Sequence, residues 1–184
     1  MNHTKMVRSM ESRGSKFIRT AKVLRAVTVL LMLFAIFSML SPLWEPTSLE
    51  LLSQELRFNE LPAAQRWMVW LMWNAGSAVW VYALYQVQHL FQLQAGGAIF
   101  TRATIRCMTV FGICLVFEPL VESVSFVVLE VYLGGIRELQ LLLSIVVEEI
   151  LFVAEDIYIG LLILFMANLL EQGRKLSQEL ELTI

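Results

Sequence analysis

The chain has 184 residues, enough for one domain, and is 58% hydrophobic and 16% charged with a mean hydropathy of +0.67. A soluble domain is about half apolar and about a quarter charged, so this balance points to the membrane and away from soluble or nucleic-acid-binding classes. The net charge of −2 hides segregation: Lys5, Arg8, Arg13, Lys16, Arg19, Lys22 and Arg25 precede the first apolar run with only Glu11 among them.

Residues 1–25 read as a basic cytoplasmic arm. It is a topology determinant or a contact for anionic head groups of the lipid bilayer. A first transmembrane helix is expected over 26–43, with Pro42 and Pro46 around its outer end and Trp44 at the interface. No A-x-A cleavage site follows it, so it reads as an uncleaved anchor. The leucines at 49, 51, 52, 56 and 61 predict a short amphipathic helix on the outer surface.

A second span is expected over 67–87, with Trp67, Trp70 and Trp73 forming an aromatic belt and the small patch Asn74 to Ala78 serving helix packing. The chain then returns inside through Gly96-Gly97, and Thr101 is placed to cap the next helix. A third span covers 105–129 and a fourth 151–170, leaving 171–184 as a cytoplasmic tail. Leu139 to Val147 is apolar and leaves the start of the fourth span open. The layout puts eleven Lys/Arg inside and three outside (Arg57, Arg66 and Arg137). The expected fold is therefore an all-α polytopic membrane protein with four transmembrane helices, N- and C-termini cytoplasmic.

Four acids fall at membrane depth: Glu118, Glu122, Glu155 and Asp156. At 1.5 Å per residue, Glu122, Glu155 and Asp156 lie roughly 22–24 Å from the inner boundary, and Glu118 roughly 18 Å. Glu118 and Glu122 share one helix face, with Pro119 between them. No Lys or Arg lies at that depth. The groups are protonated, bind a cation or other ligand from outside, or stand in water. Cys107 and Cys114 are two turns apart and read as small buried hydrophobes. No nucleophile–base pair, E-x-x-H pattern or phosphate loop is present, so no catalytic residue, metal site or cofactor is assigned, and the chain does not read as an enzyme.

The stretch Gly96-Gly97-Ala98-Ile99-Phe100-Thr101, the following Ile105-Arg106, and the end Glu179-Leu180-Glu181-Leu182-Thr183-Ile184 resemble an uncharacterised bacterial family. Its members are small four-span inner-membrane proteins, classified as a domain of unknown function. The family's hallmarks are a Gly-x-x-Phe segment before the third span and a Gly…acid-Leu-Thr-Ile end. Members are often encoded beside a small helix-turn-helix transcription regulator. The resemblance implies a regulatory membrane protein that binds or sequesters such a regulator, without touching nucleic acid itself. Its candidate contacts are Phe100, Thr101, Glu181, Leu182, Thr183 and Ile184. The alternative from the residues alone is a small transporter, ion pathway or immunity-type protein using the acids at membrane depth, as a single chain or a homo-oligomer.

Overall fold

The computed structural model describes residues 3–41, 48–51, 54–57, 61–96, 101–133 and 139–182. They form α1 (His3–Leu40), a two-stranded antiparallel hairpin of β1 (Ser48–Leu51) and β2 (Gln54–Arg57), then α2 (Ala63–Trp73), α3 (Ala75–Ala95), α4 (Arg102–Leu133) and α5 (Leu139–Leu182). Three helical stretches are long and apolar enough to cross a membrane: Ile18–Leu40, Arg102–Leu133 and Asp156–Leu180. The basic arm and the first span are one helix. The apolar stretch before the fourth span, that span and most of the tail are also one helix. At 1.5 Å per residue α5 is about 66 Å long, roughly twice the thickness of a hydrocarbon core.

The amphipathic helix expected after the first span is not formed. Its leucines instead serve the hairpin, in which Leu49 pairs with Leu56 and Leu51 with Gln54. Leu49, Leu51 and Leu56 alternate with polar neighbours at period two, a pattern the helical reading overlooked.

The second expected span is divided. Asn74 interrupts the apolar run at φ −95°, ψ 0°, between α2 and α3. Its backbone N–H and its Nδ2 both donate to the Trp70 carbonyl, at 3.1 and 2.8 Å, so the side chain competes with helical continuation. Gln86, Gln88, His89, Gln92 and Gln94 then dilute α3, which is not one of the three stretches long and apolar enough to cross a membrane.

The helices pack in chain order as a row: α1 on α3, α3 on α4, and α4 on α5. Ala21 and Thr28, seven apart, are the buried points of α1. The Thr28 hydroxyl donates to the Leu24 carbonyl at 2.9 Å, which satisfies it inside an apolar seam. Trp70 Nε1 donates to the Met39 carbonyl at 3.0 Å and ties the end of α1 to α2. Val69 and Leu129 form the core between α2 and α4, flanked by Trp70, Met72 and Leu133.

Two glycine contacts set the spacing of the row. A Cβ on Gly76 would lie 3.1 Å from Glu122 Cβ, so α3 and α4 nearly touch there. A Cβ on Gly160 would lie 2.7 Å from Val116 Cγ2 and 3.1 Å from the Gly112 carbonyl, so α4 and α5 cross backbone to backbone. Of the small residues Asn74 to Ala78, Gly76 thus serves helix packing, while Ser77 lines a cavity between α3, α4 and α5 and Ala78 is exposed.

Candidate functional site: an acidic cleft between α3, α4 and α5

The Gly76 and Gly112–Gly160 approaches bracket a cavity of about 520 Å³. Its walls are Ser77 and Trp80 of α3, Phe111, Leu115, Glu118 and Glu122 of α4, and Asp156, Ile159 and Ile163 of α5. A smaller cavity of about 170 Å³ adjoins it and shares Ser77 and Glu122. Met72, Trp73, Ser125, Phe126 and Leu129 complete its lining.

Three of the four acids singled out from sequence therefore meet in one cleft. Glu118 is half-buried, while Glu122 and Asp156 are exposed to the cavity side. Glu155 lies on the same turn of α5, and its side chain falls outside the described residues. Among the described residues, no Lys, Arg or His lines either cavity. Among the described residues no three His, Cys, Asp or Glu side chains are placed to hold a metal ion.

Local sequence explains why the acids converge. Glu118 and Glu122 are one turn apart on α4 and face α3 and α5. Pro119 between them is buried and has no N–H, so the Leu115 carbonyl at i−4, on the cavity wall, loses its usual helical donor. Across the cleft, the α2/α3 interruption at buried Asn74 lies beside Glu122, through Gly76. The Pro119 gap in the α4 ladder thus lies near the Asn74 distortion, across which the bonds from the Asn74 N–H to the Trp70 carbonyl and from the Ala78 N–H to the Asn74 carbonyl persist. Irregular backbone at membrane depth is tolerated where it is buried in protein or lines a cavity, as it does here.

Of the residues carried by the resemblance, the structure places Thr101 at the start of α4 and Glu181 and Leu182 at the end of α5, none of them lining the cleft. Thr101 is the N-cap of α4: its Oγ1 accepts from the Thr104 N–H at 3.3 Å and lies 3.0 Å from the Thr104 hydroxyl. Thr101 is exposed. Glu181 and Leu182 end α5. Their side chains, and Phe100, Thr183 and Ile184 entirely, lie outside the described residues. The tail is helical and braced by Glu171, which receives two hydrogen bonds from Arg174 at 2.7 and 2.9 Å. Arg174 also donates to Gln178 at 2.8 Å.

Sequence reasoning missed Glu130. The span expected over 105–129 stops just before it, but α4 continues to Leu133 and Glu130 is only 1% exposed. The available signal was its flanks, Val127 to Leu129 and Val131 to Leu133, which are apolar on both sides. Cys107 and Cys114 are free and buried, as small hydrophobes would be.

Residues 51–184 match the family described as Protein of unknown function (DUF2975). The chain belongs to this family. The match takes in β2, α2 to α5, the cleft and the tail, so the acidic residues and the full length of α5 lie within the family region. No curated protein and no solved structure matches the chain.

Proposed function

We propose that this member of the DUF2975 family is a four-span regulatory protein of the bacterial inner membrane, with both termini cytoplasmic. It binds or sequesters a small cytoplasmic helix-turn-helix transcription regulator through Phe100, Thr101 and the end Glu181 to Ile184. The observation that supports this reading is the continuity of α5. One helix carries Asp156 in the cleft and, about 39 Å further along at 1.5 Å per residue, Leu182 at the tail. A ligand that prefers one packing of α5 on α4 shifts the position of the whole tail. A differential affinity of a few kcal/mol is enough to change which state dominates.

The test is a mild-detergent pull-down from native membranes with the full chain and with a version lacking residues 179–184. Recovery of a small helix-turn-helix protein with the first and its loss with the second is the expected result. Recovery of no such protein with either refutes the reading.

One observation favours a second reading, a cation or proton pathway. Glu118, Glu122 and Asp156 line one cavity with no basic side chain among its described lining residues, and acids that face a cavity at membrane depth mark ion and proton pathways. Liposome flux that is lost on exchanging Glu118 and Glu122 together for Gln supports this pathway. Absence of flux in the unaltered protein refutes it.

A further inference from the structure

Two hydroxyls in the cleft differ from others on these helices. In an apolar helix a Ser or Thr hydroxyl commonly donates to a carbonyl one turn back. Thr28 does so to Leu24 and Thr109 to Ile105, at 2.9 and 3.0 Å. Ser77 and Ser125 do not: among the described residues neither hydroxyl makes a hydrogen bond. Ser125 is only 7% exposed, so bulk solvent does not satisfy it either. Both line the smaller cavity, Ser77 from α3 and Ser125 from α4, together with Glu122. A buried hydroxyl left without a partner is costly, so this cavity suits a polar group that enters it.

The rest of the lining narrows the chemistry of that group. Ser77 and Glu122 belong to both cavities, so the two join at these residues. Their volumes, about 520 and 170 Å³, suit an organic molecule more than a bare ion. The larger one holds Glu118 and Asp156, and its other walls include Trp80, Phe111 and Ile163. These faces take an apolar body, and the two rings also attract a cation. Ionised carboxylates only accept hydrogen bonds, and both serine hydroxyls have open acceptor positions. A group that carries positive charge and donates three hydrogen bonds serves all of them. An ammonium head on an apolar body is such a group.

We propose that the joined cavities bind a lipophilic primary ammonium. Its nitrogen sits where the cavities meet and donates to the Glu122 carboxylate and to the Ser77 and Ser125 hydroxyl oxygens. Its apolar body fills the larger cavity against Trp80 and Phe111. The close approach of α3 to α4, where a Cβ on Gly76 would lie 3.1 Å from Glu122 Cβ, holds the neighbouring Ser77 near Glu122. The proposal rests on the reading of the cleft as a cation site and names the cation; it requires binding, not transport.

The test is calorimetric titration of the full-length protein in nanodiscs of phosphatidylcholine, which carries no net charge to compete for a cation. The probes are phenylethylammonium, its N-trimethylated analogue and neutral phenylethanol. Saturable binding of phenylethylammonium is expected, with the trimethylated and neutral probes several-fold weaker because they lack the N–H donors and the charge respectively. Ser77→Ala and Ser125→Ala should each weaken phenylethylammonium about tenfold, the worth of one hydrogen bond to a charged group. Thr109→Ala, whose hydroxyl is satisfied within α4, should leave binding unchanged. No saturable binding, equal binding of the primary and trimethylated probes, or serine variants that bind as tightly as the unaltered protein overturns the proposal. Proton flux in liposomes separates the two readings of the cleft. Flux that needs Glu118 and Glu122, without ammonium binding, keeps the pathway and removes this proposal; ammonium binding without flux does the reverse.

Discussion

Gly160→Ala tests the α4–α5 crossing directly. The new methyl would sit 2.7 Å from Val116 Cγ2, 3.0 Å from the Val116 nitrogen and 3.1 Å from the Gly112 carbonyl. Two of those three atoms are backbone and cannot rotate away. Reaching ordinary carbon contact requires the helices to part by roughly 0.7 Å or more. Overpacking of this kind costs about 1–3 kcal/mol. Replacing Gly by Ala within a helix returns about 0.5–1 kcal/mol. The net expectation is a loss of about 1–2 kcal/mol, measured as unfolding free energy in mixed micelles. Gly112→Ala should cost less, because its closest contacts, at 2.9 and 3.0 Å, are the movable Leu164 side chain. Gly173→Ala meets open space and should stabilise by up to about 1 kcal/mol. The decisive comparison is the order of the three. If Gly160→Ala is as stable as Gly173→Ala, the helices do not cross backbone to backbone and the cleft they bracket has another shape.

Thr101→Ala removes the α4 N-cap and should cost about 1 kcal/mol, with Thr101→Ser retaining most of it; micelle unfolding checks both. Trp70→Phe keeps the ring but strands the Met39 carbonyl, a loss of about 0.5–1.5 kcal/mol, with faster amide exchange at the end of α1 as the local signature. Asn74→Leu removes the side chain that competes with the ladder. It should join α2 and α3 more tightly, slowing exchange at residues 74–78; unchanged exchange there means that Asn74 does not cause the interruption. Arg174→Ala leaves global stability unchanged and frays the last turns of α5, because the ion pair it removes is local to an exposed helix end.

What was legible from sequence depended on whether a feature is local. The apolar stretches of α1, α4 and α5, the capping role of Thr101 and the burial of Cys107 and Cys114 follow from composition and spacing within one segment. The meeting of Glu118, Glu122 and Asp156 was legible only as equal depth. Their common cleft depends on glycines on three helices, Gly76, Gly112 and Gly160, whose partners lie far away in sequence. The division at Asn74 was hidden because Asn74 sits among small residues that read equally well as a packing patch. The hairpin was misread because Leu51-Leu52 satisfies helical spacing as readily as alternation. Glu130 was missed because a charge near the end of an apolar run looks like a boundary. Only the continuation of α4 to Leu133, with Glu130 1% exposed, shows that it is buried.

The arrangement of helices as a row has a mechanical consequence. In a closed bundle each helix has two neighbours, and displacing one strains both contacts. Here, among the described residues, α5 packs chiefly on α4, with the close crossing at Gly160, so tilting it strains mainly that one interface. The acids of the cleft lie on both sides of that contact: Glu118 and Glu122 on α4, Asp156 on α5. Repulsion between ionised carboxylates pushes the two helices apart at this level, whereas a shared proton or bound cation draws them together. The lever arm from Asp156 to the tail is longer than the hydrocarbon core is thick, so a small change of tilt at the cleft becomes a larger displacement at Leu180. The proposed regulatory reading requires that a charge change in the cleft and the position of the tail be coupled through this one helix and interface. The Gly160 and Gly112 variants should alter that coupling even though they touch neither a carboxylate nor the tail.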